Sequence, residues 1–294
     1  MSITASMVKD LRERTGAGMM ECKKALVASD GDLDAAAEAL RMSGQAKADK
    51  KASRVAADGK VVINRDGDKA VIVEVNSETD FVAKDENFVA FADAVAAAVL
   101  ATGTTDAGAL AGESIDGEKS VEQARTELVA KVGENISVRR ASIIDNAGSL
   151  GYYTHGARIG AVVTLEGGDD ELARDIAMHV AATNPVCIDA SGVPAEALET
   201  ERRIFSEQAA ESGKPPEIVE KMVTGRVAKF LKEITLVGQP FVKDPEQTVG
   251  KLLEAATASV KSFVRFEVGE GIEKKEENFA DEVMKQIEDA KKDD

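Results

Sequence analysis

Apolar positions recur at helical spacing over residues 3–44 and predict three short helices. Thr4 or Ser6 can cap the first, which carries Met7, Val8 and Leu11 on one face. The glycines of "RTGAG" break it, and "MMECKKALVAS" forms the second helix, ending at Asp30-Gly31. "DLDAAAEALRMSG" forms the third, capped by Asp32 and stopped by Gly44. Of Met19 and Met20, one is expected in the core of so small a bundle. The stretch "QAKADKKASRVAADGK" that follows is polar and basic and reads as a linker, in part helical.

Beyond it the pattern becomes strand-like and then repeats itself. Residues 59–99 give "KVVIN", the turn "RDGD", "KAVIVEV" and the helix "NFVAFADAVAAAV". Residues 151–182 give "YYTHG", "RIGAVVTLE", the turn "GGDD" and the helix "ELARDIAMHVAA", with "FADAVAA" echoed by "IAMHVAA". A later helix and strand close each copy: "VEQARTELVAKVG" with "ISVRRASIID", and "TVGKLLEAATA" with "VKSFVRFEVGE". Two small three-stranded antiparallel sheets with helices on one face are predicted, an α+β fold with a duplicated core.

The second copy is interrupted by two amphipathic helices around "SGKPP", an antiparallel hairpin. Its stripe of Leu198, Ile204, Phe205, Ile218, Met222 and Phe230 needs cover from the partner helix or from a second chain. The expected units are 1–54 (helical docking bundle and linker), 55–147 (first core subdomain), 148–185 with 235–270 (second core subdomain), 186–234 (hairpin, a candidate homodimer contact) and 271–294 (C-terminal helix).

Length supports this plurality, since 294 residues exceed what one core usually needs. A hydrophobic content of 44% with 31% charged residues describes a globular chain. The net charge of −16 repels phosphate backbones, so no direct nucleic-acid partner is expected. No apolar run reaches membrane-spanning length, and the N-terminus lacks a signal-peptide core. Cys22 and Cys187 have neither metal nor disulfide spacing and fit reduced thiols in the cytoplasm.

Candidate chemistry is sparse. His179 falls inside a helix and reads as a core histidine; His155, beside a glycine bend, can be exposed for contact. "GESIDGEKS" has the wrong spacing for a phosphate loop, and "RTGAGMM" lies between helices, where a dinucleotide fold does not put its glycines. No acid–base pair, metal set or nucleophile assembles, so the residues alone leave an enzyme unsupported and call for no cofactor. What stands out is "VIVEVNSETDFVAKDENF", a strand running into an acid and a phenyl ring. Spacing favours Asp80 as a helix cap with Phe81 packed beneath; the alternative holds the ring out for a partner.

Several stretches bear on this choice: "ITASMVKDLRERTGAGMMECKKAL", "VAADG", "EVNSETDFVAKDENF", "KVGENISVRR", "HGARIG", "DIAMHVAA", "GQPFV" and "FVRFEVGEGIEK". Through them the chain resembles the bacterial elongation factor Ts family, guanine nucleotide exchange factors of elongation factor Tu, along nearly its whole length. The resemblance implies a ubiquitin-associated-like N-terminal bundle, a duplicated core, a coiled-coil-like insertion and a C-terminal helical module. It implies a role in translation, without covalent chemistry, in which Thr79, Asp80, Phe81 and Val82 enter the GTPase domain of elongation factor Tu and displace elements near its nucleotide-bound magnesium. It further implies partner contacts for His155 and for Arg12, Met19 and Met20. Segment 101–120 is longer and less regular than the family pattern, and Ser77-Glu78 receives no role.

Overall fold

The computed structural model describes residues 3–273, apart from 116, 118, 146, 147 and 212. The helix expected in 271–294 lies outside the described residues beyond Glu273. Three helices open the chain: α1 (Ala5–Thr15), α2 (Met19–Ala28) and α3 (Leu33–Lys51). Thr4 caps α1 by accepting from the Met7 N–H, and Gly16 ends it at φ 66°, a left-handed geometry that costs glycine little. Leu11, Cys22, Leu26 and Ala36 form the bundle core. Both Met19 and Met20 are outside it, at 62% and 64% exposure, because Cys22 and Leu26 fill the space that one of them was expected to take.

Gly44 does not stop the third helix. It is buried within α3, where an added Cβ would sit 3.6 Å from the Ala130 Cβ. The missing side chain lets α3 lie close on a later helix, and Ala48 reaches the core of the first sheet. The residues read as the start of a linker are the last two turns of α3.

The first sheet contains β1 (Asp58–Asp66), β2 (Lys69–Ser77) and, after α4 (Asp80–Ala83), α5 (Glu86–Thr102), α6 (Ala107–Leu110) and α7 (Val121–Val132), β3 (Ile136–Asp145). Strand order is β1-β2-β3, all antiparallel. Val71, Val73 and Val75 face Phe88, Phe91, Val95 and Val129 of α5 and α7. Ala70 and Ile72, with the opposite parity, face the second sheet. Burial of both faces explains why β2 opens as a continuous apolar run over residues 70–73, before the buried Glu74.

The second sheet is built from β4 (Ser149–His155), β5 (Ile159–Glu166) and the last strand of the chain. Between them come α8 (Asp170–Thr183), α9 (Ala195–Ala210), α10 (Pro216–Ile234), the short hairpin β6 (Pro240–Phe241) and β7 (Asp244–Thr248), and α11 (Val249–Ala255). The strand β8 (Ser259–Glu267) completes the antiparallel order β4-β5-β8. Helices α8 and α11 cover one face through Ile176, Val180, Val249 and Leu253. The other face brings Leu150, Val162 and Phe266 against Val61 and Ile72, so the layers run helix, sheet, sheet, helix. At Gly160 the sheets are so close that a Cβ would lie 2.6 Å from Val61 Cγ1.

Helices α9 and α10 project as an antiparallel pair, with Phe205 edge-on to Phe230 at 6.4 Å between ring centroids. Ala209 and Val223 are buried, five of the six stripe residues are half-buried by the opposite helix, and Ile218 is exposed. At the arm's base Val186 donates to the Ile234 carbonyl (2.9 Å) and Leu236 to that of Cys187 (2.9 Å).

Candidate functional site: a braced loop presenting Asp80 and Phe81

Strand β2 ends at Ser77, and within five residues the chain turns into α4. The cap of α4 is Thr79, not Asp80: the Thr79 hydroxyl accepts from the Val82 N–H at 3.4 Å. Asp80 is left outside the cap, and Phe81 is 82% exposed, so the packed reading suggested by spacing is overturned. The reason is local. Val82 and Ala83 take the inward positions against the first core, and the helical turn throws residues 80 and 81 to the opposite side.

The loop itself is held firmly. Thr79 donates its N–H and its hydroxyl to the two carboxylate oxygens of Glu134, at 3.0 and 2.7 Å. The Glu78 carboxylate accepts the Asn135 N–H at 2.6 Å and lies 3.5 Å from the Arg54 guanidinium. The Ser77 hydroxyl donates to the Thr79 carbonyl at 2.9 Å. Among the described residues Asp80, in contrast, pairs only across one exposed turn with Lys84 at 2.7 Å, a bond of about 0.3–0.5 kcal/mol that a partner's charge can replace cheaply.

His155 is exposed at the end of β4, with the Tyr153 hydroxyl 3.4 Å from its Nδ1. Its turn is stitched to β1, since Ala157 accepts from the Val61 N–H (2.8 Å) and Arg158 pairs with Asp58 (2.8 Å). Asp58 is the register partner of Ser77, so the His155 turn and the Phe81 loop lie at the same end of the first sheet. Arg12, Met19 and Met20 are exposed on the bundle, tied to this end through α3 and Arg54. Sequence reasoning missed Glu78 and Glu134. The signal was present in "KVGENISVRR", but nothing local reveals which segment an acid at a strand start will grip.

His179 is fully buried. Its Nε2–H donates to Gln239 at 2.9 Å and its Nδ1 accepts the Val242 N–H at 3.2 Å, while burial lowers its pKa against the opposing pull of the Gln239 bond. Among the described residues no cluster of three His, Cys, Asp or Glu side chains could hold a metal, and no helix is long and apolar enough to cross a membrane.

The family model described as elongation factor TS matches residues 78–270, which include the loop from Glu78 onward, β3, the second sheet and the arm, while β1, β2 and the N-terminal bundle precede the match. Elongation factor Ts of Thioalkalivibrio sulfidiphilus is 63% identical over 294 residues, covering 99% of this chain and 100% of that protein. Elongation factor Ts of Methylococcus capsulatus is 61% identical over 291 residues, 98% and 99% of the two chains. That of Hydrogenovibrio crunogenus is 58% identical over 285 residues, 96% and 97%. A match this extensive, over a chain whose exposed Asp80-Phe81 pair lies inside the matched region, assigns the protein to the elongation factor Ts family.

Proposed function

We propose that this chain binds elongation factor Tu and promotes release of GDP and its exchange for GTP, in the cytoplasm and without covalent chemistry. The observation that carries the reading is Phe81, 82% exposed beside Asp80 on a loop held by Glu78 and Glu134. One exposed apolar side chain is ordinary by itself; Phe81 gains weight because the turn beneath it is fixed by the Glu134 and Glu78 carboxylates while the ring is left in water. In this reading Thr79, Asp80, Phe81 and Val82 form the segment that disturbs the partner's magnesium and phosphate site. Asp80 and Phe81 make the direct contact, and Thr79 and Val82 anchor them. His155, Arg12, Met19 and Met20 extend the interface. The same reading takes the bundle as ubiquitin-associated-like, the two sheets as a duplication and residues 186–234 as a homodimer contact.

Magnitudes bound what Phe81 can do. Burying one Phe contributes about 1.5–3 kcal/mol. Moving a two-state partner from mostly closed to mostly open takes about 5.5 kcal/mol of differential affinity. The ring is therefore a wedge driven by the wider interface. By linkage, returning nucleotide weakens this chain's grip by the factor with which the chain weakened the nucleotide. The test is release of labelled GDP from purified elongation factor Tu on addition of this protein. Binding with no acceleration would leave a passive docking protein.

A further inference from the structure

The backbone ladder between β2 and β3 ends at the pair Ser77–Ile136. Continued outward in the same register, Glu78 would face Asn135 and Thr79 would face Glu134. Those pairs do interact, but through side chains. The Asn135 N–H donates to the Glu78 carboxylate at 2.6 Å. The Thr79 N–H donates to the Glu134 carboxylate at 3.0 Å. Each strand lends an acid to the other's backbone, and the two carboxylates bond an N–H at both successive pairs, of which a continued antiparallel ladder would hydrogen-bond only one. Such charge-assisted bonds are shorter and about twice as strong as neutral ones.

Glu134 also organises the cap. By accepting the Thr79 hydroxyl proton at 2.7 Å it directs that oxygen's lone pairs elsewhere, and one of them accepts the Val82 N–H. The start of α4, and with it the direction of Phe81, follows from this single carboxylate. On the far side, Asn135 Nδ2 donates to the Arg54 carbonyl at 2.8 Å while the Arg54 guanidinium lies near Glu78, so the same rungs hold the chain leaving α3.

We infer that Glu134, with Glu78 as its counterpart, is a positioning residue for nucleotide release: the crossed carboxylates hold the Thr79 turn so that Phe81 stays extended toward the partner. This rests on the proposed function, in which Phe81 is the wedge. Glu134 does not itself touch nucleotide or magnesium in this scheme.

The test measures release of labelled GDP from elongation factor Tu by the full-length protein, with Phe81→Ala, Glu134→Ala, Glu134→Gln and the Phe81→Ala/Glu134→Ala double variant. Glu134→Ala is expected to slow release at saturating factor by about tenfold, the scale of losing hydrogen bonds to a charged group. The half-saturating concentration should stay unchanged, since the wider interface is intact. Glu134→Gln, keeping one acceptor, should fall between. In the Phe81→Ala background the Glu134→Ala change should add nothing, because both act through one ring. Should Glu134→Ala melt below the assay temperature, the Gln variant and its own double with Phe81→Ala decide the matter. Normal release by the Glu134 variants beside slow release by Phe81→Ala would overturn the positioning role and leave the wedge intact. Additive losses would overturn it as well. Normal release by Phe81→Ala would overturn the wedge, and the positioning role with it.

Discussion

The buried carboxylate of Glu74 accepts the N–H of Gly269 at 2.8 Å, a bond joining the middle of β2 to the residue that follows β8 by two. Arg139 (3.0 Å), Arg140 (2.6 Å) and Asn76 (3.0 Å) complete its partners. Burial pushes the Glu74 pKa up, and Gly269, Asn76, Arg140 and Arg139 together more than reverse it, leaving it below the usual carboxylate value. One acid thus ties the end of the second sheet to the first. Glu74→Ala removes the carboxylate that the Gly269 N–H, the Asn76 amide and both guanidinium groups share, leaving the arginines, among the described residues, only their bonds to Glu267 and Glu270. A loss of about 3–5 kcal/mol of stability is expected, measured as a lower denaturation midpoint in urea. An unchanged midpoint would show that water replaces the carboxylate at no cost.

Stability should fall with acid in two stages. His179 has a folded pKa below its ordinary 6.5, so the unfolded state takes up its proton first. Its contribution is full above about pH 6.5 and declines as pH falls beneath that value. Glu74, depressed below 4.5, contributes fully above that value and loses its share as pH falls through the folded pKa. Melting temperature is expected to slope downward from pH 6.5 toward 5, and His179→Gln should flatten that slope. A variant with the wild-type slope would move the acid sensitivity elsewhere.

Phe81→Ala should slow GDP release severalfold or more while changing thermal stability little. The contrast is Phe88, fully buried in the first core, whose truncation should cost about 3–5 kcal/mol. Paired release and melting curves on the two variants separate a presented ring from a packed one.

Truncation should distinguish the bundle from its support. A chain beginning at residue 45 keeps Ala48 in the first core, the Lys51 bond to the Gly133 carbonyl and the Ala52 and Arg54 carbonyls that Asn135 grips. A chain beginning at residue 53 loses all but the last and should melt lower. Both should bind nucleotide-free elongation factor Tu more weakly, because Arg12, Met19 and Met20 are gone. Calorimetric titration of the two chains checks this, and wild-type affinity would assign the bundle another role.

For the homodimer proposal the informative position is Ile218. Phe205 and Phe230 are occupied with each other, whereas Ile218 is 45% exposed on the arm. Ile218→Glu should shift a dimer to monomer by light scattering and leave GDP release unchanged. Wild-type protein that is already monomeric at high concentration would remove the premise.

Much of the architecture was legible because it is local. Turn residues and apolar periodicity mark all six strands of the two sheets, and "SGKPP" marks the tip of the arm. What was not legible depends on neighbours distant in sequence. Gly44 reads as a stop until α7 is placed against it. Met19 and Met20 look equivalent to core candidates until Cys22 is seen filling the bundle. In the site, the resemblance pointed to Asp80 and Phe81 while spacing alone favoured burying the ring. Neither gave a role to Glu134, whose grip on Thr79 spans 55 positions.

The helical arm enters and leaves the molecule through two chain segments bonded side by side, Val186 to Ile234 and Cys187 to Leu236. To the sheets, everything beyond that doorway is one closed loop. Loop entropy grows slowly, by about 0.6 kcal/mol for each doubling of length. The arm can therefore be shortened, lengthened or exchanged for a different module almost without penalty to the body that carries Phe81, which makes it the part of this protein most open to acquiring a separate history.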